Sequence, residues 1–422
     1  MPNIQLILVT VIFYVLSARL ALSFRSTRIR FPLFAAVNIV GVAMLTLLTR
    51  YDAWSASPVL SLGSTAVLRH LLLIGVYVGA ISVGYCLVRR FATGSGLRPW
   101  IAFFYPICLL VLFRYVPFFW EPLVERLEWP DWAVSLSIIG LSYMAFRLSY
   151  LTLEIRNGVA QMPTLSEYLG FAFFLPTILI GPISPFGKHQ ESTSIKGTVP
   201  VRRALLRIIT GAVKVFFLAN IANQLSYRGI FLDGNPHGIF DLVVASVFYY
   251  LYLFCNFSGF CDMAIGLAAL VGISVKENFD NPFAARNVKE FWNRWHITLS
   301  EYVRNVVFAP VSTGLIRKLG TDYRNFSISV AITAVFLVIG VWHGLALHYI
   351  LFGLTHAAAM IANHYYTIWL KTRLGSDRYK LYNQNSFVNA AAVVVTFVYV
   401  AFTFSLFANP DEMLALIFHS VR

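Results

Sequence analysis

Long apolar runs separated by short polar connectors dominate the chain. Windows of roughly 18–25 residues, the length a helix needs to cross a bilayer, fall near 4–23, 32–49, 67–88, 99–117, 132–151, 166–185, 204–225, 239–273, 326–342, 345–368 and 387–408. The window 239–273 is too long for one straight crossing and predicts either two spans or one span with a broken element. The window 166–185 carries Pro176, Gly181, Pro182 and Pro185 toward its end. It predicts a re-entrant segment, since irregular backbone at membrane depth is tolerated only where protein or water satisfies it. The first window is not a cleavable signal, because Arg19 interrupts it and no small-residue cleavage site follows. The stretch 276–325 breaks the apolar pattern. It is too polar to span, yet it holds Phe279, Phe283, Phe291, Trp292, Trp295 and Phe308 among its charges. Trp beside Arg suits the lipid headgroup level or a polar cavity inside a helix bundle. Neither an internal repeat nor a low-complexity linker interrupts the chain, so residues 1–422 read as a single membrane-embedded domain.

Composition sharpens this all-α, polytopic reading. Of 422 residues 58% are hydrophobic and 12% charged, against about 25% charged in an ordinary soluble domain. That excludes a soluble enzyme, and it excludes disorder. The net charge is +14, but the basic residues sit in short runs between apolar segments, as membrane topology requires, rather than in one nucleic-acid-binding tail. Arg25, Arg28 and Arg30 follow the first window, and Arg89, Arg90 and Arg98 follow the third. Between them, in 50–66, Arg50 and Asp52 cancel; the loop 117–131 is acidic, with Glu121, Glu125, Glu128 and Asp131 against Arg126. The alternation predicts an extracytoplasmic N-terminus and cytoplasmic loops at 24–31 and 89–98. It breaks at 186–203, where Lys188, Lys196, Arg202 and Arg203 fall on what should be the outer side.

The candidate chemistry is histidine-based. His343, His348 and His356 lie in or beside long apolar windows, where an ionisable group is costly and marks a functional candidate; the bland alternative is a histidine hydrogen-bonded between helices. His343 stands out in Gly340-Val341-Trp342-His343-Gly344, where glycines permit close approach by backbone or ligand. His296 lies in Asn293-Arg294-Trp295-His296 within the polar stretch. A neutral imidazole is the usual base for activating a hydroxyl. Zinc-protease, nucleophile-elbow, P-loop and Rossmann patterns are absent from the sequence. His343 and His348 are about 140° apart around a helix and do not share a face. Asp262, in Phe260-Cys261-Asp262-Met263, reads either as a buried carboxylate paired with a cation from another helix or as part of a polar cavity wall. Cys86, Cys108, Cys255 and Cys261 form no metal-ligand spacing and read as packing residues. No metal site is expected.

Taken together, Tyr249–Ser300, with its F-S-G-F turn, D-M-A-I-G run, E-N-F-x-x-P-F and F-W-N-R-W-H-I-T-L-S, resembles the bacterial core of the membrane-bound O-acyltransferase family. The later I-G-V-W-H-G resembles the family's second histidine motif, Ser142–Arg147 its S-Y-x-x-F-[RK] element and Ile180–Ile183 its A-G-P-I turn. The resemblance covers roughly 140–365. It implies a ring of about 10–12 tilted transmembrane helices around a central funnel or tunnel, with re-entrant or interfacial helices. It also implies His343 as the catalytic histidine and His296 as the other histidine of the tunnel, with Asn293, Arg294, Trp295, Trp342 and Asp262 lining it or orienting groups.

The chemistry so implied is acyl transfer from a thioester to a hydroxyl of an extracytoplasmic envelope polymer, in a bacterial cytoplasmic membrane. No bound cofactor is expected. Two branches of the family compete. One moves D-alanine from a phosphopantetheine thioester on a small acidic carrier protein at the cytoplasmic side, with room for an extracytoplasmic acyl-relay partner. The other acetylates alginate-like exopolysaccharide or peptidoglycan, from acetyl-CoA or another acetyl donor. Compact length and F-W-N-R-W-H favour the first; D-M-A-I-G and Ile297-Thr298 lean to the second. For a carrier, Val306, Val307 and Phe308 beside Arg317 and Lys318 offer an apolar patch next to positive charge; the two cations read equally well as headgroup anchors. A proton-coupled transporter is the remote alternative, disfavoured by the lack of two related halves.

Overall fold

A computed structural model describes residues 4–50, 64–114, 140–194, 200–231 and 237–408. The acidic loop 117–131, most of the 50–66 connector and His419 lie outside them. Among the described residues all regular elements are helical, and one isolated antiparallel bridge joins Phe279 to Trp295. Among the described residues six helices are long and apolar enough to cross a membrane: Thr27–Thr46, Leu71–Phe91, Val201–Gln224, Ile239–Val271, Thr321–His343 and Ser386–Phe407. The chain is an all-α, multi-pass membrane protein.

Contacts divide the chain into two compact units, Met1–Ile208 with Met263–Lys276, and Ile209–Asp262 with Glu277–Arg422. The first unit contains α1 (Ile4–Ser23), α2 (Thr27–Arg50), α3 (Ser64–Phe91), α4 (Arg98–Arg114), α5 (Leu141–Arg156), α6 (Leu165–Ala172) and α7 (Phe186–Ser194). Helix α6 starts on a capping box: Thr164 accepts from the Glu167 N–H, and the Glu167 carboxylate accepts from the Thr164 N–H. At eight residues it is about 12 Å long, too short to cross a core of about 30 Å. The window 166–185 is thus a broken segment, interrupted after α6 by a 3₁₀ turn at Leu175–Thr177. Arg147 of α5, fully buried, holds that break in place. It donates to Thr177 Oγ1 and to the Ala172 carbonyl, each at 3.1 Å, and lies 5.5 Å over the Phe171 ring. Glu154, about two turns further along α5, accepts from the N–H groups of Phe186 and Gly187 at the start of α7, where a carboxylate offsets the helix dipole.

The second unit carries the polar stretch and most of the two helices before it. Helix α8 (Val201–Gln224) contains a π-helical turn at Lys214–Leu218 and is followed by the short α9 (Tyr227–Ile230). Helix α10 (Ile239–Val271) corrects the sequence expectation for 239–273, since it is one continuous helix of 33 residues. Such a helix is about 50 Å long and overshoots the hydrocarbon core unless steeply tilted. No proline breaks it. Gly259 lets it approach α8 closely, because a Cβ there would stand 2.7 Å from the Gly211 carbonyl oxygen. Then come α11 (Val288–Arg294), α12 (Ile297–Val303), a second π turn at Arg304–Phe308, α13 (Ala309–Leu319), α14 (Arg324–His343), α15 (Leu347–Gln384) and α16 (Ser386–Ala408). The helices of 276–325 are all too short to span. Helices α14 and α15 pack closely: a Cβ on Gly340 would lie 2.6 Å from the Tyr349 carbonyl oxygen.

Candidate active site

The two histidine motifs meet in the second unit, and each imidazole is set by a different piece of backbone. His296 caps α12 in the left-handed region, at φ 46° and ψ 52°. A non-glycine residue there is uncommon and is held by its surroundings. The holding structure is a short antiparallel pairing: Asp280 N–H donates to the Arg294 carbonyl at 3.0 Å and Ile297 N–H to the Asn278 carbonyl at 2.9 Å, with Phe279 bridged to Trp295 between them. Trp295 locks this pairing from beneath. It is buried among Tyr250, Phe254, Phe257, Phe279, Phe291 and Phe404, with ring centroids 5.0–6.4 Å away.

The fully buried Asn278 fixes the tautomer of His296. Its Oδ1 accepts from Thr298 N–H at 3.2 Å and Thr298 Oγ1 at 2.7 Å. A backbone N–H can only donate, so this atom is the amide oxygen. The contact from His296 Nδ1 at 3.3 Å then needs the proton on Nδ1. Nε2 is left with its lone pair; it is buried and has no hydrogen-bond partner among the described residues. Burial first, and the neighbouring His343 second, push the His296 pKa down to about 3. His296 is a neutral hydrogen-bond acceptor at any working pH, and a weak base.

His343 is the last residue of α14, just before Gly344, and is half-buried. Its ring packs edge-on against Phe407 at 4.6 Å, stacks on Tyr349 at 6.0 Å and lies 4.3 Å from Trp342. Trp342 touches both imidazoles, with its centroid 6.5 Å from that of His296. Like-charge repulsion opposes two adjacent imidazoles being charged together, and desolvation selects His296 as the one that stays neutral.

The other sequence-selected residues have their own partners. Asn293 is exposed, and its Oδ1 accepts from Arg304 at 3.0 Å. Arg294 donates to Glu290 at 2.9 Å and to the Asp280 carbonyl at 3.3 Å. Asp262 pairs with Lys214 of the first π turn at 2.7 Å. His348, at the start of α15, is buried with its ring 4.1 Å from Tyr349. Val306, Val307 and Phe308 are half-buried on the second π turn, while Arg317 and Lys318 are exposed in the last turn of α13. An apolar cavity of about 590 Å³ opens beside α11. Trp292, Phe308, Ile332 and Phe336 line it, and Lys289, Arg304 and His364 bring basic groups to it. Asn278 and Tyr349 also contact the two imidazoles, although neither stands out in the sequence as a site residue. Asn278 sits within the E-N-F motif, but nothing in its spacing ties it to His296.

A sequence profile described as "MBOAT, membrane-bound O-acyltransferase family" matches residues 99–407. The teichoic acid D-alanyltransferase of Streptococcus thermophilus is 33% identical over 292 residues, covering 65% of this chain and 69% of that protein. The enzyme of the same name from Bacillus subtilis is 32% identical, with the same coverage. The peptidoglycan O-acetyltransferase of Helicobacter pylori is 29% identical over 50% of this chain and 40% of its own length. With the profile spanning well over half of the sequence, the chain belongs to the membrane-bound O-acyltransferase family and is an acyltransferase.

Proposed function

We propose that this enzyme moves a D-alanyl group from a thioester on a cytoplasmic carrier protein to a hydroxyl of an extracytoplasmic teichoic-acid-like polymer. The D-alanyl choice is supported by the two teichoic acid D-alanyltransferases that match 65% of this chain; the observation that carries the acyl-transfer chemistry is the histidine pair, a half-buried His343 beside a His296 that burial holds neutral with Nε2 bare. His343 accepts the proton of the attacking hydroxyl as its oxygen bonds to the thioester carbonyl carbon. As the C–S bond breaks, the same imidazole returns that proton to the departing thiolate. The new C–O ester and a free thiol remain, and no charge is left over. During the step His343 is an imidazolium, and a neutral neighbour spares it like-charge repulsion. His296 Nε2 accepts a hydrogen bond from the hydroxyl or from the protonated His343, and so orients the proton transfer. Trp342, in contact with both rings, keeps them apart at a fixed angle. Asn293, Arg294, Trp295 and Asp262 serve as tunnel wall or as orienting groups around them.

The cavity beside α11 suits the donor arm. It runs along Phe336 and Ile339, the latter one helical turn before His343, and Lys289 and Arg304 supply cations for a phosphate. Val306, Val307 and Phe308, with Arg317 and Lys318 nearby in sequence, form the carrier dock. The membrane is the bacterial cytoplasmic one, with the N-terminus outside. An acyl-relay partner on the outer side is compatible with this scheme.

A second reading, acetylation of an exopolysaccharide or of peptidoglycan, is favoured by one observation: a relative named for peptidoglycan O-acetylation matches across half of this chain. Proteoliposomes supplied in parallel with a D-alanyl carrier thioester and with acetyl-CoA separate the two. The D-alanyl thioester is expected to be consumed with transfer to a polyol-phosphate acceptor, and His343→Ala to lower turnover by about 10²–10⁴-fold. Turnover of acetyl-CoA alone would replace the first reading by the second. Near-normal turnover by a folded His343→Ala protein would remove His343 from the chemistry.

A further inference from the structure

A third histidine, His356 of α15, is fully buried and lies outside the chemistry just described. Both of its nitrogens are engaged. Nδ1 accepts from Trp292 Nε1–H at 3.3 Å, and Nε2 meets Thr403 Oγ1 of α16 at 3.1 Å. The Thr403 hydroxyl gives its own proton to the Val400 carbonyl at 3.1 Å, so it accepts from His356. An indole N–H can only donate. Both ends therefore demand the Nε2–H tautomer, opposite to that of His296. Phe336 stacks on the imidazole at 6.0 Å and 18°, and Trp292 meets it edge-on at 5.3 Å. Trp292 and Phe336 are also walls of the cavity beside α11. His356 thus stands directly behind two of the side chains that give that cavity its shape.

We propose that His356 is a positioning residue that sets the fit of the acyl donor, acting through Trp292. This deepens the donor-path reading of the cavity and rests on it. The indole is buried, and an N–H left without an acceptor in that setting is costly. Deprived of His356 Nδ1, Trp292 turns toward the cavity, where its N–H finds water or a polar rim group, and the space for the donor arm narrows. The chemistry at His343 is untouched, so the damage falls on donor binding rather than on turnover.

Two isosteres divide the function of the ring. His356→Asn keeps an amide oxygen near the Nδ1 position and loses the Thr403 contact. His356→Gln reaches toward Thr403 and loses the acceptor for Trp292. In reconstituted protein with a D-alanyl carrier thioester, H356Q is expected to raise the donor KM about tenfold, the effect of one lost buried hydrogen bond, with kcat changed by less than about twofold. H356N is expected to stay within about threefold of the parent KM. In a Trp292→Phe background, which has no indole N–H to lose, H356Q should add nothing to KM. Equal KM effects from H356N and H356Q, or an H356Q effect that persists in full in the W292F background, would overturn the positioning role. Ile332→Trp, which fills the cavity directly, distinguishes the two levels. A raised donor KM in I332W with an unchanged one in H356Q sinks this inference and leaves the donor path standing. An unchanged donor KM in both folded variants sinks the donor path, and the inference with it.

Discussion

At the scale of single residues, burial assigns different duties to chemically identical side chains. His296 and His356 are both enclosed, yet their neighbours lock opposite tautomers, and of the two only His296 keeps a ring nitrogen without a partner among the described residues. The depressed pKa of His296 has a consequence for stability. The unfolded chain protonates this residue below about 6.5, whereas the folded chain resists until about 3. Between those values the unfolded state binds more protons. Stability is therefore intact above about pH 6.5 and falls as pH drops toward about 3. His189, buried among Phe34, Phe171, Phe174 and Phe186 and also held to about 3, contributes with the same sign. His296→Asn tolerates the left-handed backbone and removes one titrating group. Its melting temperature in detergent, followed from pH 7.5 to 4.5, is expected to fall less steeply than that of the parent. Parallel curves would mean that His296 is not the group taking up the proton.

At the scale of elements, the informative contacts sit where helices depart from regularity. Both π turns begin at a cation: Lys214 pairs with Asp262 of α10, and Arg304 bonds Asn293 of α11. Such turns widen a helix by one residue and redirect a side chain. The Lys214–Asp262 pair is mostly buried, with side chains 26% and 15% exposed. Losing one partner from such a pair strands a charge and typically costs about 3–5 kcal/mol, while an apolar replacement of both is far milder. Asp262→Asn should therefore lower the thermal stability of the detergent-solubilised enzyme more than Asp262→Asn combined with Lys214→Met. If the double variant melts no higher than the single one, the pair is not what holds α8 to α10.

At the scale of the whole molecule, orientation in the membrane decides which face meets the donor. A cysteine at position 94, in a protein without the four native cysteines, is expected to resist an impermeant thiol reagent applied to intact cells and to react after permeabilisation. Labelling from outside would invert the assigned topology. On the proposed donor side, Arg317→Glu with Lys318→Glu should weaken binding of a purified acidic carrier protein. Parental affinity should fall with added salt, because exposed charges are screened over about 10 Å at 0.1 M. Carrier binding indifferent both to the reversal and to salt would leave these cations as headgroup anchors.

Much of this was legible in the sequence, because a bilayer imposes strong rules on composition. Apolar runs of spanning length, scarce charge and basic connectors specify a helical membrane protein without reference to tertiary contacts. The polar stretch 276–325 and the two W-H motifs likewise point to the region proposed here for the chemistry, since Trp, Arg and His are costly there unless used. Tertiary structure decided what periodicity does not encode. Helix α10 runs unbroken through a window too long for one straight crossing, because hydropathy reports solvent preference and not where a backbone bends. Asp262 finds a lysine 48 positions earlier in the chain, and Asn278 reaches across 18 positions to set the tautomer of His296. His296, in the polar stretch, and His343 and His356, in or beside apolar windows, carry no mark in the sequence of their separate duties. Only the three-dimensional arrangement leaves one half-open, one buried with a spare lone pair and one fully tied, because hydrogen bonds and desolvation act between residues brought together by folding.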